Sequence, residues 1–152
     1  MRRRILLLVN WYPNVTLPVS GAFIRDQARL LAERFEVNVL AVYPIGLRAA
    51  FRDRRHNSIE HDGKVVVYRV YAPTPPYIPH LHLLSSDLHL LSSAYAAWRE
   101  LHKYVRRQGR PDLIHAHVVL PCGWIAARAS RAWDIPALLT EHSGPFTVHL
   151  YT

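Results

Sequence analysis

The stretch Ile5-Leu6-Leu7-Leu8-Val9-Asn10, running into Trp11-Tyr12-Pro13-Asn14-Val15-Thr16-Leu17-Pro18-Val19-Ser20-Gly21, decides the fold. An unbroken apolar run reads as a strand covered on both faces, as in a parallel sheet. The Pro-punctuated loop ends at Ser20-Gly21, and an amphipathic pattern follows it. Strand, loop and helix in that order are the entry to an α/β nucleotide-binding unit, where the first N–H groups of the helix can receive a phosphate. Ser20 is the expected N-cap, and Ser20 and Gly21 together are the candidate phosphate-binding pair. The loop carries no G-x-G-x-x-G, so the expected ligand bears phosphate without being a dinucleotide held in the usual way.

Working outward, Phe23, Ile24, Gln27, Ala28, Leu31 and Phe35 recur at three- and four-residue intervals and predict the inner face of the first helix. Val37 to Tyr43 reads as a second strand closed by Pro44. Gly46 to His61, with Arg48, Arg52, Arg54 and Arg55, has no period and is expected to be a basic loop. Asp62-Gly63 reads as a hairpin-type turn into a third strand, Val65 to Val70. The prolines between Ala72 and Pro79 predict an extended connector.

A long second helix follows, with Ser86 or Asp87 as its cap. Leu88, Leu91, Tyr95, Trp98, Leu101 and Val105 form its expected apolar stripe, and Gly109 and Pro111 end it. Asp112 to Ala116 is a fourth strand, a helix starts near Trp124 and ends near Trp133, and Pro136 to Thr140 is a fifth strand. Helices alternating with strands predict an open, mostly parallel, Rossmann-like sheet with helices on both faces. Ligands of such a sheet sit off the carboxyl ends of its strands. The segments there are 11–21, 43–46, 117–123 and 141–145.

Composition narrows the function classes. The 152 residues, half of them hydrophobic, fit one folded domain. The single cysteine, Cys122, excludes an internal disulfide framework and fits a reducing, cytoplasmic setting. The apolar run after Met1-Arg2-Arg3-Arg4 is shorter than the roughly 7–15 residues of a signal-peptide core, and no run reaches the roughly 18 of a membrane span. A net charge of +8 favours an anionic partner. Arginine clusters at 2–4, 48–55 and 99–110 fit the inner face of an anionic membrane as a peripheral contact. No nucleic-acid-binding motif is present.

His142 is the sharpest chemical candidate. It follows an apolar strand by two residues and precedes Ser143-Gly144-Pro145, where an imidazole can donate to a phosphate or a sugar hydroxyl. His115-Ala116-His117 puts two imidazoles on one face of a strand. His115 is expected to pack within the sheet and His117 to line the cleft. A metal pair completed by Glu141, His142 or Cys122 is the alternative, and the expected site holds no metal.

In order along the chain, Ile5 to Val9 with Tyr12-Pro13-Asn14, Pro18-x-x-Gly21-x-Phe23 and Gln27-Ala28-x-x-Leu31 is the first group of a longer pattern. Asp112-Leu113-Ile114-His115-Ala116-His117 with Pro121-x-Gly123 is the second. Ile135 to Thr140 with Glu141-His142-Ser143-Gly144 is the third. Together they resemble the N-terminal domain of family-four, GT-B-fold glycosyltransferases. The resemblance implies transfer of a sugar from a nucleotide-sugar donor, used as co-substrate with no further cofactor, to a glycan or lipid-linked acceptor, with retention at the anomeric carbon. It implies that Gly21 and His142 face the donor, His142 as the catalytic group. Asn14, His117, Glu141, Ser143 and Gly144 are the expected substrate-binding residues around them.

The family's donor-binding second domain carries two glutamates seven residues apart. None of Glu33, Glu36, Glu60, Glu100 and Glu141 has that spacing. Residues 1–152 are therefore expected to be a truncated N-terminal, acceptor-side domain without the donor-binding domain, and inactive alone. Two readings compete: a stand-alone binding module for a nucleotide or phosphorylated sugar, and a metal-dependent hydrolase built on His115, His117 and His142.

Overall fold

The computed structural model describes residues 2–46, 57–74 and 82–142, the side chains of 82–87 excepted. Six strands form one sheet: β1 (Arg4–Val9), β2 (Glu36–Gly46), β3 (Ser58–Asp62), β4 (Val65–Thr74), β5 (Leu113–His117) and β6 (Ala137–Thr140). Their order is β3-β4-β2-β1-β5-β6, parallel throughout except for the β3–β4 hairpin. Three helices connect them: α1 (Ala22–Leu31), α2 (His82–Gln108) and α3 (Trp124–Trp133). The Rossmann-like α/β expectation holds.

The continuous run in β1 is buried on both sides, as its sequence predicts. Ile5, Leu7 and Val9 meet Ile24, Ala28 and Ala32 of α1 and the turn after it. Leu6 and Leu8 face Ala94, Ala97, Leu101 and Tyr104 of α2, with Ile125, Ala126 and Ala129 of α3. The helices thus divide between the two faces. β1 lies at the centre, with β2 on one side and β5 on the other, so the chain first builds one half of the sheet and then crosses to the other. That makes the gap between the carboxyl ends of β1 and β5 the topological switch point, where such sheets bind ligands. No helix among the described residues is long and apolar enough to cross a membrane.

Several local expectations change. α1 starts after Gly21, which is itself the N-cap in left-handed conformation (φ 70, ψ 25), and no side chain caps it, so Ser20 does not. The buried face of α1 is Ile24 and Ala28, while Phe23 and Gln27 are exposed. α2 begins at His82, which leaves Ser86 and Asp87 inside it. It buries its alanines, because a helix crossing close to a sheet needs small side chains at the contact. Leu88, Leu91 and Tyr95 are left exposed. The expected basic loop contains β3, an edge strand too polar to show a period. The remainder of that loop, 47–56, and the connector at 75–80 lie outside the described residues.

Buried polar groups tie the layers together. Arg69 on β4 donates from Nε to Glu60 (2.8 Å), from one terminal nitrogen to the Tyr43 hydroxyl (2.5 Å) and from the other to the Pro13 carbonyl (2.7 Å). One guanidinium therefore joins β2, β3, β4 and the loop after β1. Asn38 donates to the Tyr104 hydroxyl at 2.7 Å, pinning α2 to β2. His115 and His117 are buried at the end of β5.

Gly21 sets the path of the β1–α1 loop. A Cβ there would stand 2.5 Å from the Trp11 carbonyl oxygen, at a φ that L-residues avoid. Gly21→Ala is expected to lower stability by about 2–4 kcal/mol, read as a shift of the urea midpoint at unchanged slope.

The buried histidines set an acid limit. Burial, chiefly, holds His115 below the ordinary histidine range. It pushes His117 down to about 4, with His115 and His142 adding to the shift. Between about pH 6.5 and about pH 4 the unfolded chain binds protons that the folded chain refuses. This contribution to stability is complete above that window and is lost as pH falls through it. Urea midpoints measured from neutral pH downward should decline across the window, and less steeply in His117→Leu.

Candidate functional site

Three strand ends build the site: the loop after β1, the turn after β5 and the residues after β6. The first loop is folded on itself. The Asn14 side-chain oxygen accepts from the N–H groups of Thr16 (2.9 Å) and Leu17 (2.8 Å), an Asx-type turn. The Ser20 N–H donates to the Leu17 carbonyl at 3.3 Å, and the Ile24 and Arg25 N–H groups donate to the Gly21 carbonyl. Gly21 then releases the chain into α1, and the Ala22 N–H donates back to the Val19 carbonyl at 3.2 Å.

The turn after β5 is strained. Val118 holds φ 74, ψ 138, a region that a β-branched residue occupies only when its neighbours force it. Its N–H donates to the Thr140 carbonyl at 2.9 Å, and its carbonyl accepts from Gly123 at 3.0 Å. Glu141 secures both sides of this joint. Its carboxylate accepts from the Val119 N–H (2.7 Å) and from the His142 N–H (2.9 Å). Glu141 therefore holds the turn and the residue that follows, through contacts with backbone.

Three imidazoles line up at this edge. His115 and His117 stack with ring centroids 4.4 Å apart, and His115 Nε2 lies 2.8 Å from the Thr140 hydroxyl. His117 is fully buried, and its Nδ1 lies 2.9 Å from His142 Nε2. His142 is exposed, and the edge of its ring meets Phe23 of α1, with centroids 4.6 Å apart. That contact brings the first turn of α1, with Gly21 at its cap, to His142. His117 reaches the open edge only through His142 and does not line the cleft itself. Ser143 and Gly144 lie outside the described residues.

Among the described residues the rings are spaced as a hydrogen-bonded pair, closer than two ligands of one zinc ion would stand. Two nitrogens bound to one zinc ion at about 2.0–2.1 Å stand about 3.3 Å apart at the tetrahedral angle, while His117 and His142 share a hydrogen bond. Among the described residues no three His, Cys, Asp or Glu side chains converge on a metal position. Cys122 is buried and its thiol is pushed up to about 12 by desolvation, so it is no nucleophile at neutral pH.

On the opposite flank of α1, a cavity of about 310 Å³ opens between the β1–α1 loop and the β3–β4 hairpin. Tyr12, Asn14, Arg25, Arg29, Asp62 and Arg69 line it. Arg29 pairs with Asp62 and Arg69 with Glu60, so the floor is polar with both signs of charge matched. Arg69 and this cavity carry no local sequence pattern: the partners of Arg69 come from three separate segments. The backbone role of Glu141 was equally hidden, since Val119 is 22 residues away.

The glycosyl transferase 4-like domain profile matches residues 20–151. TuaC of Bacillus subtilis (strain 168), named as a glycosyltransferase of teichuronic acid biosynthesis, is 24% identical over 155 residues, covering 96% of this chain and 38% of TuaC. The solved structure of apo UGT2 from Phytolacca americana superposes with a TM-score of 0.51 at 14% identity, over 97% of this chain and 31% of that one. The glycotransferase of kitacinnamycin gives a TM-score of 0.47 at 14% identity, over 92% and 30%. This chain thus spans well under half the length of the relatives it matches. The match runs from the Ser20-Gly21 turn through the histidine-bearing strand ends, and the chain belongs to the glycosyl transferase 4-like family, with the fold of the N-terminal domain of a GT-B glycosyltransferase.

Proposed function

We propose that this chain is the acceptor-side domain of a retaining glycosyltransferase that moves a sugar, of hexosyl type, from a nucleotide-sugar donor to a glycan or lipid-linked acceptor. The observation that carries the reading is the Phe23–His142 contact, which sets a helix N-terminus and an exposed imidazole side by side at the switch point. When the bond to the anomeric carbon breaks, negative charge grows on the leaving nucleoside diphosphate. The backbone N–H groups of Gly21 and Phe23, at the positive end of the α1 dipole, and the His142 ring are donors suited to receive it. Ser20 and Gly21 would bound the pyrophosphate, and Ser143 and Gly144 would extend that rim. Asn14, on the wall of the 310 Å³ cavity, would lie on the acceptor side. Glu141 and His117 would serve the substrate through His142, which they hold. The donor needs no further cofactor.

Since the chain spans 38% of TuaC, the donor's nucleotide half is assigned to a second domain. TuaC is named for teichuronic acid biosynthesis, which supports polysaccharide biosynthesis as the setting. A cytoplasmic location with peripheral membrane contact fits an acceptor on a lipid carrier. Leu88, Leu91 and Tyr95 lie exposed at three- and four-residue spacing along α2, with Arg99 a turn further on. An exposed apolar stripe bordered by cations suits an anionic lipid surface.

Three measurements test the proposal. In the polypeptide that carries a donor-binding domain, His142→Ala should lower kcat about a hundredfold, as loss of one preorganised donor does elsewhere. The 152-residue chain alone should bind donor weakly and transfer no sugar. Transfer by that chain would refute the division of labour, and tight nucleotide binding without transfer in any longer form would favour the binding-module reading. Vesicles of phosphatidylglycerol and phosphatidylcholine should sediment the protein. Leu91→Glu with Tyr95→Glu should weaken that binding about tenfold, and raised salt should weaken it further.

A further inference from the structure

The hydrogen bond between His117 and His142 has a direction, and the direction decides what His142 offers a ligand. Two neutral imidazoles facing each other at 2.9 Å share one proton, so one ring donates and the other accepts. If His142 donated from Nε2, His117 would accept at Nδ1 and carry its own proton on Nε2. That nitrogen is buried and has no partner among the described residues. A buried N–H without an acceptor is among the least tolerated groups in a folded chain and costs about 1–3 kcal/mol. If His117 donates from Nδ1, its Nε2 bears a lone pair, and no N–H is stranded.

We propose that His117 is a positioning residue that donates its Nδ1 proton to His142 Nε2 and so fixes His142 as the Nδ1–H tautomer. The free polar atom of the His142 ring is then an N–H donor. The reverse tautomer would present a lone pair, which repels an anionic oxygen. His117 can keep this arrangement because its surroundings hold the ring. His115 stacks on it at 4.4 Å and is itself tied by the Thr140 hydroxyl. Phe23 packs on the second ring, and the Glu141 carboxylate, which accepts from the His142 backbone N–H, fixes the main chain that carries it. The consequence for transfer rests on the reading of His142 given above, whereas the tautomer itself does not.

Histidine-ring 15N correlation spectra of the protein at pH 7.5 read the tautomer directly, with no ligand added. The expected pattern is a protonated Nδ1 and an unprotonated Nε2 on His142. In His117→Leu, which cannot donate, His142 should move toward the Nε2–H form that histidine prefers in water. In His117→Asn, whose amide nitrogen takes the place of Nδ1, the Nδ1–H form should persist. An Nε2–H ring in the wild-type protein, or an unchanged Nδ1–H ring in His117→Leu, overturns the proposal. Should His117→Leu fail to fold, the wild-type and His117→Asn spectra decide it. In the form that transfers sugar, His117→Leu should lower kcat about tenfold with KM unchanged, and His117→Asn should restore it. An Nδ1–H ring together with full activity in His142→Ala would uphold the tautomer and remove the catalytic reading of His142 instead.

Discussion

The approach of Gly21 to the Trp11 carbonyl is the contact on which the functional edge depends. The loop after β1 must turn back over the strand it has just left, and it passes so close that a methyl group would overlap the backbone. The left-handed φ at Gly21 then turns the chain straight into α1. Were this turn one residue wider, α1 would rotate by about 100° per residue, and Phe23 would leave His142. A single backbone position thus links the central strand, the only helix on its face among the described residues and the exposed imidazole.

The far side of the same loop is held by charge. Arg69 takes the Pro13 carbonyl and the Tyr43 hydroxyl, and Tyr43 in turn donates to the Tyr12 carbonyl at 2.9 Å. A guanidinium with 9% of its side chain exposed has lost most of its hydration, so each of these bonds is needed to offset that cost. The chain gains precision in return: three donors in a fixed fork specify where the loop lies. The loop is therefore clamped at both ends, by a steric limit at Gly21 and by a bonded cation at Arg69. The β1–α1 connection can then be long without being loose.

Much of this was legible in the sequence because the relevant signals are local. Continuous apolar runs gave β1, β2 and β5, the Asp62-Gly63 turn gave the β3–β4 corner, and the order of elements gave the sheet. What escaped depends on pairing at a distance. β3 is an edge strand of five residues, Ser-Ile-Glu-His-Asp, recognisable only once β4 lies beside it. On α2 the expected stripe holds at Leu101, Trp98 and Val105, which pack on the core, and fails at 88, 91 and 95, where the large side chains are exposed and alanines make the close contact. Ser20 has the right chemistry for a cap but sits one residue too early, since the left-handed turn falls on Gly21. At the site, residue types and strand-end positions pointed to Gly21, His117 and His142. The burial of His117 behind His142 follows from the strand register, His117 opposite Thr140, which no spacing within one segment reveals.

The donors this edge offers are backbone and imidazole N–H groups. Burial keeps His117 neutral down to a pH of about 4, and Gly21 offers backbone groups. On the other flank of α1, Arg29 and Arg69 are engaged with Asp62 and Glu60. Oriented neutral donors carry a smaller desolvation cost than a buried cation and do not need to reorganise as charge develops. They also bind a charged product less tightly than a salt bridge would, so stabilisation is concentrated where charge appears during bond breaking. An edge of this kind works only if each donor points the right way beforehand. That is why the residues behind it, Glu141 on the backbone and His117 on the ring, are as specific in their placement as His142 itself.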